Sequence, residues 1–249
     1  EFQKLLDHDY VKNFSIYDIQ SKTNSVDSRS IEDYIKYSIK QIVEWTNQEK
    51  QLLQKFYDQF INKLKELNIL QQFSILPSTI NVIKSTMKHE GNALGYTINN
   101  NIILKELNYS LLVHELFHVF SRNNFSIRKH MYGILGFKIA HSLILPPTKL
   151  KELIISNPDT PQLVFTNIIY KGYMHYVTPI LHSKKRYNEY TKSFFDDMKV
   201  SLLFVNTRVY NDEVILVYKD MKEYGIDNYI IPIEESKQYQ QKLGENTTY

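Results

Sequence analysis

From Leu111 to Arg122 seven of twelve positions are large and apolar, and the polar residues before Arg122 are His114, Glu115, His118 and Ser121. A helix places residues four apart on one face, so His114 and His118 can aim both imidazoles at one point. His114-Glu115-Leu116-Phe117-His118 has the H-E-x-x-H spacing, in which two histidines hold a metal ion and the glutamate acts as base. Glu115 lies about 100° round such a helix from His114, near enough to bond a water on that ion without becoming a ligand. Asn108 or Ser110 can cap its start, and Asn123-Asn124 can end it. Leu111, Leu112, Val113, Phe117, Val119 and Phe120 around the polar trio predict a helix buried almost all round. With 8 His in 249 residues, chance supplies only about 0.015 such matches per chain, so the pattern reads as a metal site.

The chain has no cysteine, which excludes disulfides, thiolate metal sites and cysteine nucleophiles together. Any metal must be held by His, Asp or Glu, and Zn2+ is the ion expected. Zinc lowers the pKa of bound water to about 7, and Glu115 is expected to take its proton during attack on a peptide carbonyl and pass it to the departing amine. A formal net charge of +3, with Lys and Arg spread along the chain, offers no basic block for nucleic acid. No apolar run approaches the roughly 18 residues of a membrane-spanning helix, so a soluble protein is expected. Only 7 glycines and no Walker or dinucleotide fingerprint argue against glycine-lined phosphate loops. Glu1 in place of an initiator Met is compatible with a removed secretory signal, hence with a secreted or periplasmic protein, and equally with other compartments.

Upstream of the motif, apolar residues recur at helical spacing from Ile31 to Leu70 and read as two helices, the first stripe including Ile42 and Val43. Ser30 with Asp33, and Thr46 with Glu49, have the pattern of N-terminal caps. After Pro77, Thr79 to Lys84 alternates like a strand, His89 to Asn92 reads as a turn, and Ala93 to Leu104 as extended chain around Asn99-Asn100-Asn101. Downstream, a helix is expected over Ser126 to Phe137 and a short one after Pro146-Pro147. Leu163–Tyr170 and Tyr173–Leu181 flank Lys171-Gly172 as a hairpin, and Val200–Val205 with Glu213–Tyr218 form another strand pair. These elements predict an α+β fold in a single domain over 1–249, with an N-terminal helical layer over 1–76 and a catalytic core over 77–249.

A third ligand decides the subclass. The metzincin extension needs glycine at 121 and histidine at 124, and Ser121 and Asn124 stand there instead. Acidic alternatives downstream are Glu152, Glu189, Glu213, Glu223, Glu234 and Glu235, none in a convincing second active-site helix. Glu152 follows Pro147 in the short helix, among Lys149 and Lys151 that look like a solvated face.

The run Ser110 to Asn124, with Tyr132 to Phe137 and Ser156 to Pro161, resembles a group of bacterial HExxH proteins of zincin, gluzincin-like type, over the chain from about Ile31 onward. The resemblance implies a zincin-like core, with an active-site helix packed on a small mixed sheet. It also implies that a stretch like Gly244–Tyr249 is followed by a His-Pro-Glu-Glu segment opening a helix. The glutamate of that segment would be the third zinc ligand, so the catalytic core is expected to be incomplete at residue 249.

Zincins bind an extended peptide along an edge strand, and Gly95 to Asn99 is the candidate, with an ordinary core strand as the alternative. Tyr173, His175 and Tyr176 are candidate donors to an oxyanion. His89, His130, His141 and His182 have no spacing relation to the motif and read as surface or turn residues. Asp196-Asp197 and Glu234-Glu235 read as solvated charge, because adjacent side chains diverge. The function expected is zinc-dependent hydrolysis of a peptide or protein substrate, with Glu115 as catalytic base and His114 and His118 as metal ligands. The alternatives are a non-catalytic or toxin-like binding module on the same scaffold, and a structural zinc protein with four protein ligands. Metal occupancy separates the first two, and nothing in the sequence specifies an oligomeric state.

Overall fold

The computed structural model describes residues 9–68, 76–159, 163–188, 190–191, 194–224 and 229–243. Helices and sheets are mixed, giving an α+β protein. The helices are α1 (Asp9–Lys12), α2 (Ile16–Thr23), α3 (Ile31–Ile39), α4 (Asn47–Glu66), α5 (Tyr109–Asn123), α6 (Phe125–Ile134), α7 (Leu150–Leu153), α8 (Phe194–Asp197) and α9 (Lys237–Leu243). The strands are β1 (Ile42–Val43), β2 (Asn81–Ser85), β3 (Gly95–Ile98), β4 (Asn101–Leu104), β5 (Lys138–Ala140), β6 (Ser142–Ile144), β7 (Leu163–Tyr170), β8 (Tyr173–Ser183), β9 (Met198–Tyr210), β10 (Glu213–Tyr218) and β11 (Ile230–Pro232). The chain divides into two compact units, one taking residues up to Lys12 and Ile19–Arg128, the other Asn13–Asp18 and Lys129 onward. Residue 76, the expected boundary between the helical layer and the catalytic core, lies inside the first unit.

In the first unit both expected caps are closed boxes. Ser30 accepts from the Asp33 amide while the Asp33 carboxylate accepts from the Ser30 amide, and Thr46 and Glu49 do the same at the head of α4. Ile42 and Val43, expected in a helix, instead form β1 and pair antiparallel with Ser85 and Lys84. The helical stripe of α3 closes at Ile39, and two β-branched residues in succession suit a pleated ladder better than a helix.

The sheet of this unit has the order β1-β2-β4-β3, with β2 and β4 parallel and the other pairs antiparallel. Asn99, at φ 53°, makes the turn between β3 and β4, as its short amide side chain permits. Residues of β4 alternate between two cores. Ile102 and Leu104 pack with Phe60 and Leu64 of α4 and Leu112, Leu116 and Val119 of α5, whereas Ile103 joins Met87, Tyr96 and Ile98 on the other face. Each such side chain contributes about 1.5–3 kcal/mol when fully buried. The motif helix is thereby fixed to one face of the sheet.

On the opposite face lies a buried polar cluster. Glu90, 3 % exposed, accepts hydrogen bonds from Tyr34 Oη at 2.8 Å and Tyr10 Oη at 3.0 Å and an ion-paired bond from Lys22 Nζ, whose side chain is 1 % exposed. His89, expected in a surface turn, sits in the 3-10 turn Lys88–Glu90 but is wholly buried, its Nε2 2.8 Å from Tyr96 Oη. Its other nitrogen, Nδ1, has no hydrogen-bond partner among the described residues. Burial pushes the His89 pKa down to about 4, with Glu90 opposing and Lys22 adding to the fall. The unfolded chain therefore binds more protons than the folded one between about pH 6.5 and 4. Stability should fall as pH falls through that window, by up to ~3 kcal/mol from this residue, and level off below it. Chemical denaturation from pH 7.5 to 3.5 should give a steeper loss for the wild type than for His89→Gln, and equal slopes would contradict the assignment.

The second unit carries a seven-stranded sheet ordered β5-β7-β8-β9-β10-β6, with β11 paired to β9. The expected hairpin forms at Lys171-Gly172 (φ 49° and 82°). The expected strand pair forms too, its first strand running on to Tyr210 instead of ending at Val205, and Asn211-Asp212 (φ 48° and 63°) joins the two strands. Both are two-residue turns whose positive φ values match the strand twist. The unbroken apolar run Leu202 to Val205 is explained by cover on both faces of β9. Leu202 and Phe204 pack with Phe137, Ile168, Val177 and Tyr239, and Leu203 and Val205 with Phe165, Ile180 and Leu216. No helix among the described residues is long and apolar enough to cross a membrane.

Candidate metal centre

The motif helix α5 begins where Asn108, in extended conformation, accepts a hydrogen bond from the Leu111 amide at 3.2 Å. Asn108 rather than Ser110 is thus the cap, because a short polar side chain just outside the helix satisfies an otherwise orphaned amide. The helix is less enclosed than the sequence predicts. Leu112, Glu115, Leu116, Val119 and Phe120 are buried, but Phe117 is 40 % exposed and His114 faces solvent. Burial follows one stripe, leaving a face on which the two histidines lie.

On that face His114 Nε2 and His118 Nε2 are 3.0 Å apart, with the rings edge to face at 79°. At this distance one ring nitrogen can donate its N–H to the other. The same separation suits a shared cation, since two nitrogens bound tetrahedrally to zinc at about 2.0–2.1 Å lie roughly 3.3 Å from each other. Burial, then the nearby His114 and Arg122, push the His118 pKa down to about 4, so this imidazole is neutral at pH 7, as a metal ligand must be. The donor set fits zinc for two of its ligands.

Glu115 is 1 % exposed, and a carboxylate oxygen lies within 4.8 Å of a His118 ring nitrogen. Its Oε2 accepts a hydrogen bond from Thr97 Oγ1 at 2.6 Å, and Thr97 is itself fully buried in β3. Among the described residues β3 is the outermost strand of its sheet, but its Tyr96, Thr97 and Ile98 are buried, as in the core-strand alternative to peptide binding. Gly95, two residues before Thr97 on the same face, makes the close approach possible. A Cβ there would meet Glu115 Oε1 at 3.0 Å, Leu104 Cδ2 at 2.9 Å and the Ile103 carbonyl at 3.3 Å. Gly95→Ala is expected to lower stability by about 1–2 kcal/mol, because crowding outweighs the smaller entropic gain of losing a glycine. Urea unfolding checks this, and a variant as stable as wild type would contradict it.

In the sequence Thr97 and Gly95 stand out only as strand residues. Their signal is two small side chains at alternate positions directly before an apolar helix, which marks a face where something approaches closely.

The downstream candidates are occupied otherwise. Glu152 binds Arg186 at 2.9 Å, Glu213 lies 3.3 Å from His141, and Glu223 lies 3.2 Å from Lys219, all on the surface of the second unit. Glu234 and Glu235 are exposed, and Glu189 lies outside the described residues. Tyr173, His175 and Tyr176 all lie on β8, the tyrosines 59 % and 40 % exposed and His175 buried against Phe204. His182, expected at the surface, is partly buried, with Nε2 2.9 Å from Ser201 Oγ and Nδ1 3.1 Å from the Ser183 carbonyl. His130 and His141 are exposed, as expected.

No protein-family model, curated protein or solved structure matches this chain.

Proposed function

We propose that this protein is a zinc-dependent metallopeptidase of gluzincin type, and that the motif helix, the edge strand and their sheet form a zincin-like core. The observation that carries the proposal is the convergence of His114 and His118 at 3.0 Å on one helix face, with the buried carboxylate of Glu115 beside them. His114 and His118 would hold the ion, and a catalytic zinc takes three protein ligands in all. When bound, zinc supplies Lewis-acid polarisation of a carbonyl and a more acidic water.

Glu115 is the base. Its carboxylate takes a proton from water as the water oxygen bonds to the peptide carbonyl carbon, then gives that proton to the nitrogen as the C–N bond breaks. Water is consumed and one acid and one amine are released.

The test is cleavage of a mixed-sequence peptide library by the zinc-loaded chain, analysed by mass spectrometry of the products. Cleavage that chelation removes and added zinc restores is expected. A zinc-loaded chain that leaves the whole library intact would overturn the proposal.

A further inference from the structure

We propose, resting on Glu115 as the base, that Thr97 is its positioning residue and that β3 thereby sets where the base stands. The hydroxyl of Thr97 donates to Glu115 Oε2 at 2.6 Å, a short bond between two buried side chains. A carboxylate on a side chain with three rotatable torsions must be held within a fraction of an ångström and a few tens of degrees to act reproducibly, and a buried hydroxyl does this at small entropic cost because threonine is stiff at χ1. The other oxygen, Oε1, lies against the Cα side of Gly95, where even a methyl group would stand 3.0 Å away. Both oxygens of the base are therefore located by one strand.

The strand is itself held from its far side. Successive residues of a strand point to opposite faces. Gly95 and Thr97 meet α5, whereas Tyr96 and Ile98 enter the core with Met87 and Ile103, and Tyr96 Oη meets buried His89. A shift of one residue in β3 would bring the bulky Tyr96 to the helix in place of Thr97 and reverse both faces. The ladder Gly95–Leu104 to Ile98–Asn101 opposes such a slip. Strand and base are thus one mechanical unit, because β3 carries the hydroxyl that aligns the carboxylate.

The experiment compares wild type, Thr97→Val and Thr97→Ser in the full chain. Valine keeps the shape and the β-branch and removes only the hydroxyl. If the proposal holds, Thr97→Val lowers kcat about 10- to 100-fold with KM changed less than about 2-fold and zinc affinity unchanged, and Thr97→Ser recovers most of kcat. The second readout needs no turnover: in metal-free protein at fixed pH, with 13C-labelled glutamate, the Glu115 carboxyl resonance, assigned with Glu115→Gln, moves in Thr97→Val and returns in Thr97→Ser. A resonance unmoved by Thr97→Val, or a Thr97→Val enzyme with wild-type kcat, overturns the positioning role. Loss of all hydrolysis in the wild type overturns the peptidase proposal alone, and the carboxyl resonance then decides the role of Thr97.

Discussion

Glu115→Gln is expected to reduce peptide cleavage at least about 1,000-fold while leaving zinc affinity within about 2-fold of wild type. The two halves of this result have different causes. Glutamine keeps the length and nearly the volume of glutamate, and its carbonyl can still accept the Thr97 hydroxyl that now meets Oε2 at 2.6 Å. It cannot take a proton at neutral pH, so any step that requires a base stops. His114 and His118 do not depend on the charge of position 115 for their own geometry, since their convergence follows from helical spacing. The measurement is a progress curve on a cleaved library peptide beside a competitive zinc titration. Retained cleavage would remove Glu115 from the chemistry, and lost zinc affinity would make it a ligand.

The largest effect on stability is expected from Glu90→Ala, about 3–5 kcal/mol, because one member of a buried ion pair is removed and the other is left inside. Lys22 and Glu90 have side chains 1 % and 4 % exposed, and Glu90 also accepts from Tyr10 and Tyr34. Three donors would face a cavity where a carboxylate had been. The double substitution Lys22→Met with Glu90→Leu should recover much of the loss, because an apolar pair of similar volume no longer needs desolvated charge. Urea unfolding of the single and double variants separates the two states. A single variant within about 1 kcal/mol of wild type would show that the pair is not the keystone of this face.

The parts of the fold legible in the sequence were those fixed by local chemistry. Ser30 with Asp33 and Thr46 with Glu49 close capping boxes because the donors they satisfy are three residues away, and Lys171-Gly172 makes a hairpin turn because its positive φ values demand a special residue locally. Elements that depend on distant partners were not legible. Ile42 and Val43 continue a helical stripe by pattern and become β1 only because β2 lies beside them. Lys138–Ala140 and Ser142–Ile144 are too short to show a period and owe their strand state to β7 and β10. The same distinction holds at the site. His114, Glu115 and His118 declare themselves by spacing along one helix, whereas Thr97 and Gly95 matter through a contact across 18 and 20 residues of chain. The buried state of His89 follows from Lys22, Tyr34 and Tyr96 folding round one turn, and a single position in a polar stretch carries no trace of that.

Metal content decides whether His114 and His118 hold a zinc ion. Protein dialysed against buffered zinc and analysed by mass spectrometry of the metal should hold about one zinc per chain, and His114→Ala and His118→Ala should each lose it at the same free zinc concentration. Wild-type protein that retains no more zinc than the two alanine variants would show that these histidines hold none.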